Sequence, residues 1–322
     1  YNDFERNWFK LDDDGTTDIL NSAIGTSNAL NQARAQRILD GTEDFTGLEY
    51  KNNNRAYDSS GVEVNFDIEL GTHQLETGFR YHEDEMDRFQ PVDVFDQVNG
   101  SLVFQNTKAP EGGNNRLEEA EAVSLWLLDS WQATPDLNVN LALRYEDVET
   151  SRIEYADAAR STVEEKRSND SDELLPGASF TYDISNRWQV LGGVHRGFSP
   201  LGGGAKENQE PETSDNWEFG GRYFGPGNLF VEAIGFYSDF EDTTENCSVG
   251  SPCSNGATSG TFVTGESEVK GLEFQLGTRF APGDFQIPVD LTYTYTDAEI
   301  SKDNPDAGVS DGDQLRDIPE NT

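Results

Sequence analysis

The sequence predicts an all-β protein that forms about eleven or twelve strands of an antiparallel transmembrane β-barrel. Three observations predict this fold. Seven segments alternate strictly between apolar and polar residues, short and long connections alternate along the chain, and the apolar content is too low for the thick core of a soluble protein. Together they describe a sheet with one face in hydrocarbon and the other in water.

The alternating segments define the two faces of the predicted strands. In the first segment, the even positions from Val62 to Leu70 are all apolar, and the positions between them are Glu, Asn, Asp and Glu. The pattern recurs over residues 74–81, 137–145, 178–183, 216–223, 271–280 and 287–296. A period of two is that of a β-strand whose faces meet different solvents. Because 26% of the residues are charged, rows without charge indicate that one solvent is hydrocarbon.

Composition and charge agree with a membrane-spanning barrel. Only 34% of the residues are hydrophobic and the mean hydropathy is −0.70, which a barrel tolerates because its interior is wet. The longest apolar run, Val123 to Leu128, is interrupted by Ser124 and is too short for a membrane-spanning helix. The net charge of −38 argues against nucleic acid as a partner, since that interaction requires a basic face.

Eleven strands follow from this pattern and its turns. They cover residues 1–10, 52–70, 73–89, 118–132, 137–155, 172–183, 187–199, 213–224, 228–240, 263–280 and 285–299, and a twelfth opens at residues 317–319. The tight turns contain Gly, Pro, Asn or Asp, whereas the long connections cover residues 11–51, 90–117, 156–171, 200–212, 241–262 and 300–317. Such asymmetry is typical of outer-membrane barrels. Aromatic residues flank four of the five tight turns, as in an interfacial girdle.

Two of the long connections have predicted structure of their own. Apolar residues at helical spacing, over 19–24 and again over 30–39, predict a short helix or two in the first extracellular loop, ending near Gly41. The apolar run from Ser101 to Gln105 predicts a small hairpin within residues 90–117. These elements would lie over the mouth of the barrel.

The two cysteines and the chain ends carry further expectations. Cys247 and Cys253 lie in a Ser/Gly-rich segment, where an oxidising compartment would favour a loop disulfide. A metal site there would need more soft ligands, and no His is near in sequence. The chain begins at Tyr1 without Met or a signal segment and ends just after the twelfth strand opens. We therefore expect a piece of a longer precursor.

Several strings resemble segments of one known family. Residues 211–220, PETSDNWEFG, are similar to the P-E-x-S-x-N-x-E-x-G segment of TonB-dependent outer-membrane receptors. Residues 195–200 (HRGFSP) and 269–274 (VKGLEF) resemble the x-x-G-F-x-P and x-x-G-x-E strings of that family, in the family's order. Residues 2–11, 54–62 and 78–84 are similar to its ferric-dicitrate-receptor-like branch. The resemblance covers essentially the whole chain.

The resemblance implies a domain, a function, partners and a location. Receptors of this family are 22-stranded barrels with a plugged lumen, so residues 1–322 would be part of one barrel domain, without the plug domain and the terminal strands. It implies import of a scarce ligand, a ferric siderophore or ferric chelate, energised by TonB through the plug. The implied location is the outer membrane of a Gram-negative bacterium. Outer-membrane lipid and lipopolysaccharide would be further partners, bridged to acidic loops by divalent ions.

Candidate ligand-binding residues come from extending the inward rows above the membrane. They are His82, Arg88, Arg152 and whichever of His195 and Arg196 faces inward. Such cations could hold an anionic ferric chelate. The alternative is that they pair with lumen carboxylates such as Glu76, Glu146 and Glu154. Trp8, near the first loop, is either a ligand platform or an interfacial anchor.

The remaining function classes are weighed by what the sequence contains. Three His, no Gly-rich phosphate loop after a strand and no Cys-x-x-Cys pair predict neither an enzyme nor a cofactor. Alternatives are a TonB-dependent importer of cobalamin, haem or an oligosaccharide, and a passive porin or surface adhesin barrel. Porins lack the Asn-x-Glu and Gly-x-Glu strings. A soluble secreted β-protein would differ by needing no detergent for extraction.

Overall fold

The computed structural model describes residues 1–11, 29–206, 209–247, 253, 256, 260–316 and 318–322. In chain order its elements are β1 (Asn2–Arg6), β2 (Phe9–Leu11), α1 (Ala29–Leu39), β3 (Phe45–Asn52), β4 (Arg55–Leu70), β5 (His73–Phe89), β6 (Val92–Val98), β7 (Ser101–Lys108), β8 (Gly112–Thr134), β9 (Leu137–Tyr155), β10 (Val163–Ser185), β11 (Trp188–Ser199), β12 (Glu212–Phe224), β13 (Phe230–Cys247), β14 (Gly260–Phe280) and β15 (Ile287–Ile300). Within the described residues, no helix is both long and apolar enough to cross a membrane.

Eleven of the strands form one antiparallel sheet, in the order β1-β4-β5-β8-β9-β10-β11-β12-β13-β14-β15. Ten of the eleven predicted strands correspond to single strands of this sheet, and predicted strand 1–10 is divided, since Asn2–Arg6 (β1) joins this sheet and Phe9–Leu11 (β2) joins a second one. Three strands extend further than predicted, since β8 begins at Gly112, β10 begins at Val163 and β13 continues to Cys247. Crossing a membrane takes about 9–11 residues, and β8 and β10 each have 23. These hairpins therefore continue well past the membrane at the end with the long loops.

The strand register separates an apolar face from a polar face. Residues directly opposite each other in antiparallel strands share a face. One such row is entirely uncharged, and it contains Phe66, Thr77, Leu127, Leu143 and Pro176. At the far side of the sheet Phe274 pairs with Tyr293, while Glu273 lies on the opposite face. The alternation read from the sequence is thus confirmed across the sheet.

The apolar face is exposed. Phe66 is 58% exposed, Leu141 48% and Tyr293 43%, so these side chains do not meet in a dry centre. The two clusters of buried apolar residues in the described part of the chain lie at the long-loop end of the sheet, one around Ile38 and one around Val309. A continuous exposed apolar face of this kind fits contact with hydrocarbon on one side of the sheet.

A His–Asp pair interrupts the apolar face at the tight-turn end. Asp129 faces Leu75 and Leu141 across the neighbouring strands, and its Oδ2 lies 2.8 Å from Nδ1 of His73. The imidazole stacks on Trp131, with ring centroids 5.4 Å apart. Charge costs less near a membrane interface than at its midplane, which fits the position of this pair among the aromatic residues of the girdle.

A second sheet, β2-β3-β6-β7, stands with α1 beyond the long-loop end of the main sheet; these elements are called the accessory module. Ala35 and Ile38 of α1 pack on Leu48 of β3. The buried Gln97 side chain donates hydrogen bonds to the carbonyls of Ile38 (2.7 Å) and Glu43 (2.8 Å), closing the end of the helix. The predicted helix over 30–39 and the predicted β6–β7 hairpin are confirmed.

The other expectations for the loops and for the twelfth strand are not confirmed by the described residues. The helix predicted over 19–24 lies outside the described residues. Strand β3 was expected to be loop, because its buried Glu49 and Lys51 hide the alternation. The predicted twelfth strand is not formed in the described residues, where Asn321 makes only a single bridge to Tyr295. Pro319, which has no N–H to donate, weakens strand pairing there.

Candidate functional site

Four arginines lie side by side on the polar face at the long-loop end of the sheet. The register places Arg6 opposite Arg55, Arg55 opposite Arg88 and Arg88 opposite Arg116. We call these four residues the arginine row. Like charges directly opposite each other destabilise a sheet by roughly 0.2–1 kcal/mol per pair. Sheet stability therefore does not explain the row, and a bound anion would.

Three members of the row have no described carboxylate within salt-bridge distance. These are Arg6, Arg55 and Arg88. The Nε atoms of Arg6 and Arg55 are buried without a hydrogen-bond partner in the described structure. The guanidinium of Arg6 lies 5.8 Å from the ring of Tyr57, and Nη1 of Arg55 donates to the Tyr57 hydroxyl at 3.4 Å. No described carboxylate therefore forms a direct ion pair with these three guanidinium groups.

Burial and mutual repulsion penalise the charged form of two of these side chains. Burial, together with the nearby Arg116 and Arg55, lowers the pKa of Arg88 to about 10, although Glu118 acts in the opposite direction. Burial also lowers the pKa of Arg116, although Glu118 acts in the opposite direction. Both groups stay charged near neutral pH. An anion bound between them would relieve the penalty.

A pocket of about 510 Å³ opens beside the row and is called the rim pocket. Its cationic lining residues are Arg116, Arg152, Arg167 and Lys206. The loop after β11 lies against this wall, because Nη1 of Arg167 donates to the Gly204 carbonyl at 2.8 Å. A Cβ atom on Gly204 would overlap the guanidinium of Arg152. A side chain at this position would therefore displace the Arg152 guanidinium from its present place.

The connection between β9 and β10 is fastened to the same rim. Arg160 donates from Nη1 to Oδ2 of Asp87 at 3.0 Å and from Nη2 to Oδ1 at 2.5 Å. Its Nε donates to the buried Asn115 at 2.9 Å, and its guanidinium lies 5.3 Å from the ring of Tyr155. Asp87, the carboxylate next to Arg88 in sequence, is thereby engaged by Arg160.

Two of the predicted ligand residues belong to this basic region. Arg88 lies in the arginine row without a described carboxylate partner. Arg152 lies in the rim pocket, with its Nε 2.5 Å from Glu118 and its Nη1 3.7 Å from Glu154. For Arg152 the structure therefore has the carboxylate pairing that was the alternative to ligand binding.

The other predicted residues lie elsewhere. His82 lies on the same face of β5 as Arg88, six residues nearer the tight turn, and its Nε2 is 3.3 Å from Asp84. His195 faces Gly177 on the polar face. Arg196 contacts Glu173 at 3.5 Å. Trp8 is 46% exposed at the junction with the accessory module. The predicted residues therefore do not form one cluster, and their role in binding stays a prediction.

Five cations of the basic region were missed from sequence: Arg6, Arg55, Arg116, Arg167 and Lys206. Arg6 and Arg55 lie in predicted strands, but only the register reveals that they are neighbours. Arg116 was assigned to a loop because β8 begins at Gly112, before the part of the strand that was recognised from sequence at residue 118. Arg55 and Arg88 lie at equal distances from the tight turn at Gly71 and Thr72, which is a signal that could have paired these two members of the row.

The described structure adds little on metal ions or the cysteines. Among the described residues, no group of three or more His, Cys, Asp or Glu side chains is arranged to hold a metal ion. Cys253 is buried, at 4% exposure. The side chain of Cys247 lies outside the described residues, so the Cys247–Cys253 disulfide stays a prediction.

One family profile and several solved structures match the chain. The sequence profile of the TonB dependent receptor-like β-barrel matches residues 1–322. No functionally curated protein matches the chain. Among solved structures, the unliganded ferric citrate transporter FecA is similar at a TM-score of 0.62 and 18% identity, over 87% of this chain and 40% of that one.

Two further receptors have the same fold. The ferric yersiniabactin uptake receptor FyuA from Yersinia pestis matches at a TM-score of 0.59 and 15% identity, over 86% of this chain and 40% of that one. The siderophore receptor PiuA from Acinetobacter baumannii matches at a TM-score of 0.59 and 17% identity, over 88% of this chain and 45% of that one. The chain thus spans less than half the length of each of these three.

Proposed function

The chain belongs to the TonB-dependent receptor family as part of its β-barrel, and from that premise we propose that it serves import of a ferric siderophore or ferric chelate, energised by TonB. The proposed setting is the outer membrane of a Gram-negative bacterium, with outer-membrane lipid and lipopolysaccharide around the apolar face. The arginine row and the rim pocket are proposed to receive an anionic ligand at the mouth of the barrel.

The observation that carries this proposal is the arginine row. Guanidinium groups bind carboxylate and other oxyanions through pairs of parallel N–H donors. Three of its four members, Arg6, Arg55 and Arg88, offer such donors without a described carboxylate within salt-bridge distance, in a chain of net charge −38. At a distance that net charge repels anions, so only a dense local group of cations makes anion binding favourable.

The similar structures support the class of ligand. These receptors are named for ferric yersiniabactin, a siderophore and ferric citrate. At 15–18% identity these likenesses establish the fold, and the choice of an anionic chelate among iron ligands rests on the arginine row alone.

Binding of ferric citrate to the full receptor tests the proposal. Replacing Arg55 or Arg88 by Gln keeps a polar side chain and removes one charge. Each variant should raise Kd about tenfold, since a hydrogen bond to a charged group contributes about 1.5–3 kcal/mol. Equilibrium dialysis of the iron complex at two salt concentrations measures this, and the affinity of the unchanged receptor should fall as salt rises.

Arg187→Gln is the matched control, because Arg187 is exposed at a tight turn on the opposite end of the sheet. It should leave Kd unchanged. Equal affinity in all four proteins would show that the row is not the site. Binding of cobalamin or an oligosaccharide, with no ferric chelate bound, would contradict the proposed ligand class.

A further inference from the structure

Gln90 is a fully buried side chain where the chain passes from β5 of the main sheet into the accessory module. Its backbone N–H donates to the carbonyl of Asn114 at 2.9 Å. Its side-chain Nε2 donates to Oδ1 of Asn53, which is 3% exposed. Both ends of the residue are therefore fixed by hydrogen bonds, one to the start of β8 and one to the connection between β3 and β4.

The remaining polar atom of Gln90 holds a member of the arginine row. Nε of Arg88 donates to Oε1 of Gln90 at 2.7 Å. An amide oxygen satisfies one donor of a guanidinium without cancelling its charge. The two terminal nitrogens of Arg88 carry four further N–H donors, and none has a described carboxylate partner.

Neighbouring arginines on this wall are held differently. Glu118 lies 3.0 Å from Nε of Arg116 and 2.5 Å from Nε of Arg152. Glutamate has nearly the same shape as glutamine, so a carboxylate in place of the Gln90 amide would pair with Arg88 in the same geometry. The sequence has the neutral residue at this position, and the adjacent Asp87 is engaged by Arg160.

We propose that Gln90 is a positioning residue that sets the charge preference of the receptor. It orients Arg88 through a neutral acceptor, so that the guanidinium keeps its full positive charge for an anionic ligand. This inference rests on the proposed function, because it presumes that the arginine row binds the ligand. It adds that a buried residue which does not touch the ligand determines which net charge is accepted.

The isosteric change Gln90→Glu tests the inference in the full receptor with ferric citrate as the probe. A carboxylate at Oε1 would neutralise Arg88, so Kd should rise about tenfold and its dependence on salt should weaken. Gln105→Glu is the control, since it adds the same charge on an exposed position of β7. That control should leave both quantities unchanged.

Gln90→Met separates positioning from packing, because it keeps the volume, removes the acceptor and adds no charge. Kd should rise by less than in Gln90→Glu, with the salt dependence retained. Equal losses and equal salt dependence in the two variants would show that Gln90 only supports the fold, and the inference would be wrong. If Gln90→Glu does not fold, an unchanged Kd in Gln90→Met would overturn it alone.

The Arg88→Gln protein distinguishes this failure from failure of the proposed function. In that background Gln90→Glu should have no further effect, because the charge that it neutralises is gone. Loss of affinity in Arg88→Gln with normal affinity in Gln90→Glu overturns the role of Gln90 and leaves the site intact. Normal affinity in both variants would show that Arg88 does not belong to the ligand-binding site.

Discussion

Arg160 and Asp157 fix the short connection between β9 and β10. Arg160 has a φ of +55°, a left-handed conformation that costs a non-glycine residue about 1–2 kcal/mol. Its paired hydrogen bonds to Asp87 offset that cost. The carboxylate of Asp157 accepts hydrogen bonds from the backbone N–H groups of Ser161 (3.1 Å) and Thr162 (2.9 Å). Two side chains thus hold this loop on the rim beside the arginine row.

The Asp157 contacts give the loop a predictable pH dependence. The hydrogen bond from the Ser161 backbone, assisted by the Ser161 hydroxyl and by Thr162, lowers the pKa of Asp157. Because the folded pKa lies below the ordinary value, the stabilisation is fully present above about pH 4 and is lost as pH falls through the folded pKa. Hydrogen exchange, corrected for intrinsic rates, should show protected Ser161 and Thr162 amides at pH 7 and open ones at low pH.

Asp157→Ala provides the comparison for that measurement. The variant should lose protection at pH 7 and show little further change on acidification. Exchange that is equally slow in both proteins, or that does not change with pH in the unmodified chain, would contradict the role given to Asp157.

In the main sheet, the alternation of apolar and polar residues determines which face of each strand meets lipid. Asn140 and Leu141 are adjacent in β9, yet the register puts Leu141 opposite Asp129 and Ala178 on the apolar face and Asn140 on the other. A one-residue slip would turn every side chain of the strand to the wrong solvent. The pairing of long strands is therefore strongly specified wherever one face meets lipid.

Two substitutions in β9 test which face meets hydrocarbon. Leu143 lies in the uncharged row with Phe66 and Leu127, so Leu143→Arg should cost about 2–4 kcal/mol if the side chain lies near the membrane midplane, and should lower the folded fraction of receptor in the outer membrane. Asn140→Arg adds the same charge on the polar face three residues away and should fold almost normally. Heat-modifiable migration on gels measures the folded fraction. Equal folding of both variants would mean that the apolar face does not meet lipid.

The sequence predicted the strands far better than the site. Period-two alternation is a local signal, so the seven main-sheet strands that contain a strictly alternating segment could be located from neighbours in sequence. Arg116 and Arg167 lie where strands rise above the membrane and both faces are polar, so alternation no longer marks them as strand residues. The arginine row depends on contacts between residues as distant as Arg6 and Arg55, and no local pattern encodes that register.

At the scale of the whole molecule, charge is distributed unevenly. The chain has 61 acidic and 23 basic residues. Seven of the basic residues meet at the arginine row and the rim pocket: Arg6, Arg55, Arg88, Arg116, Arg152, Arg167 and Lys206. The overall field repels an anion until it is within about 10 Å of this group, where salt no longer screens the cations fully. A strongly acidic receptor can therefore select an anionic ligand by short-range contacts.

Iron uptake by cells in which this receptor is the sole outer-membrane iron receptor tests the account most directly. Radioactive iron is supplied as anionic ferric citrate or as a neutral ferric trihydroxamate, to cells with and without TonB. The account predicts uptake from ferric citrate only, only with TonB, and reduced uptake in the Arg55→Gln and Arg88→Gln receptors. Uptake that is independent of TonB, or that favours the neutral chelate, would contradict it.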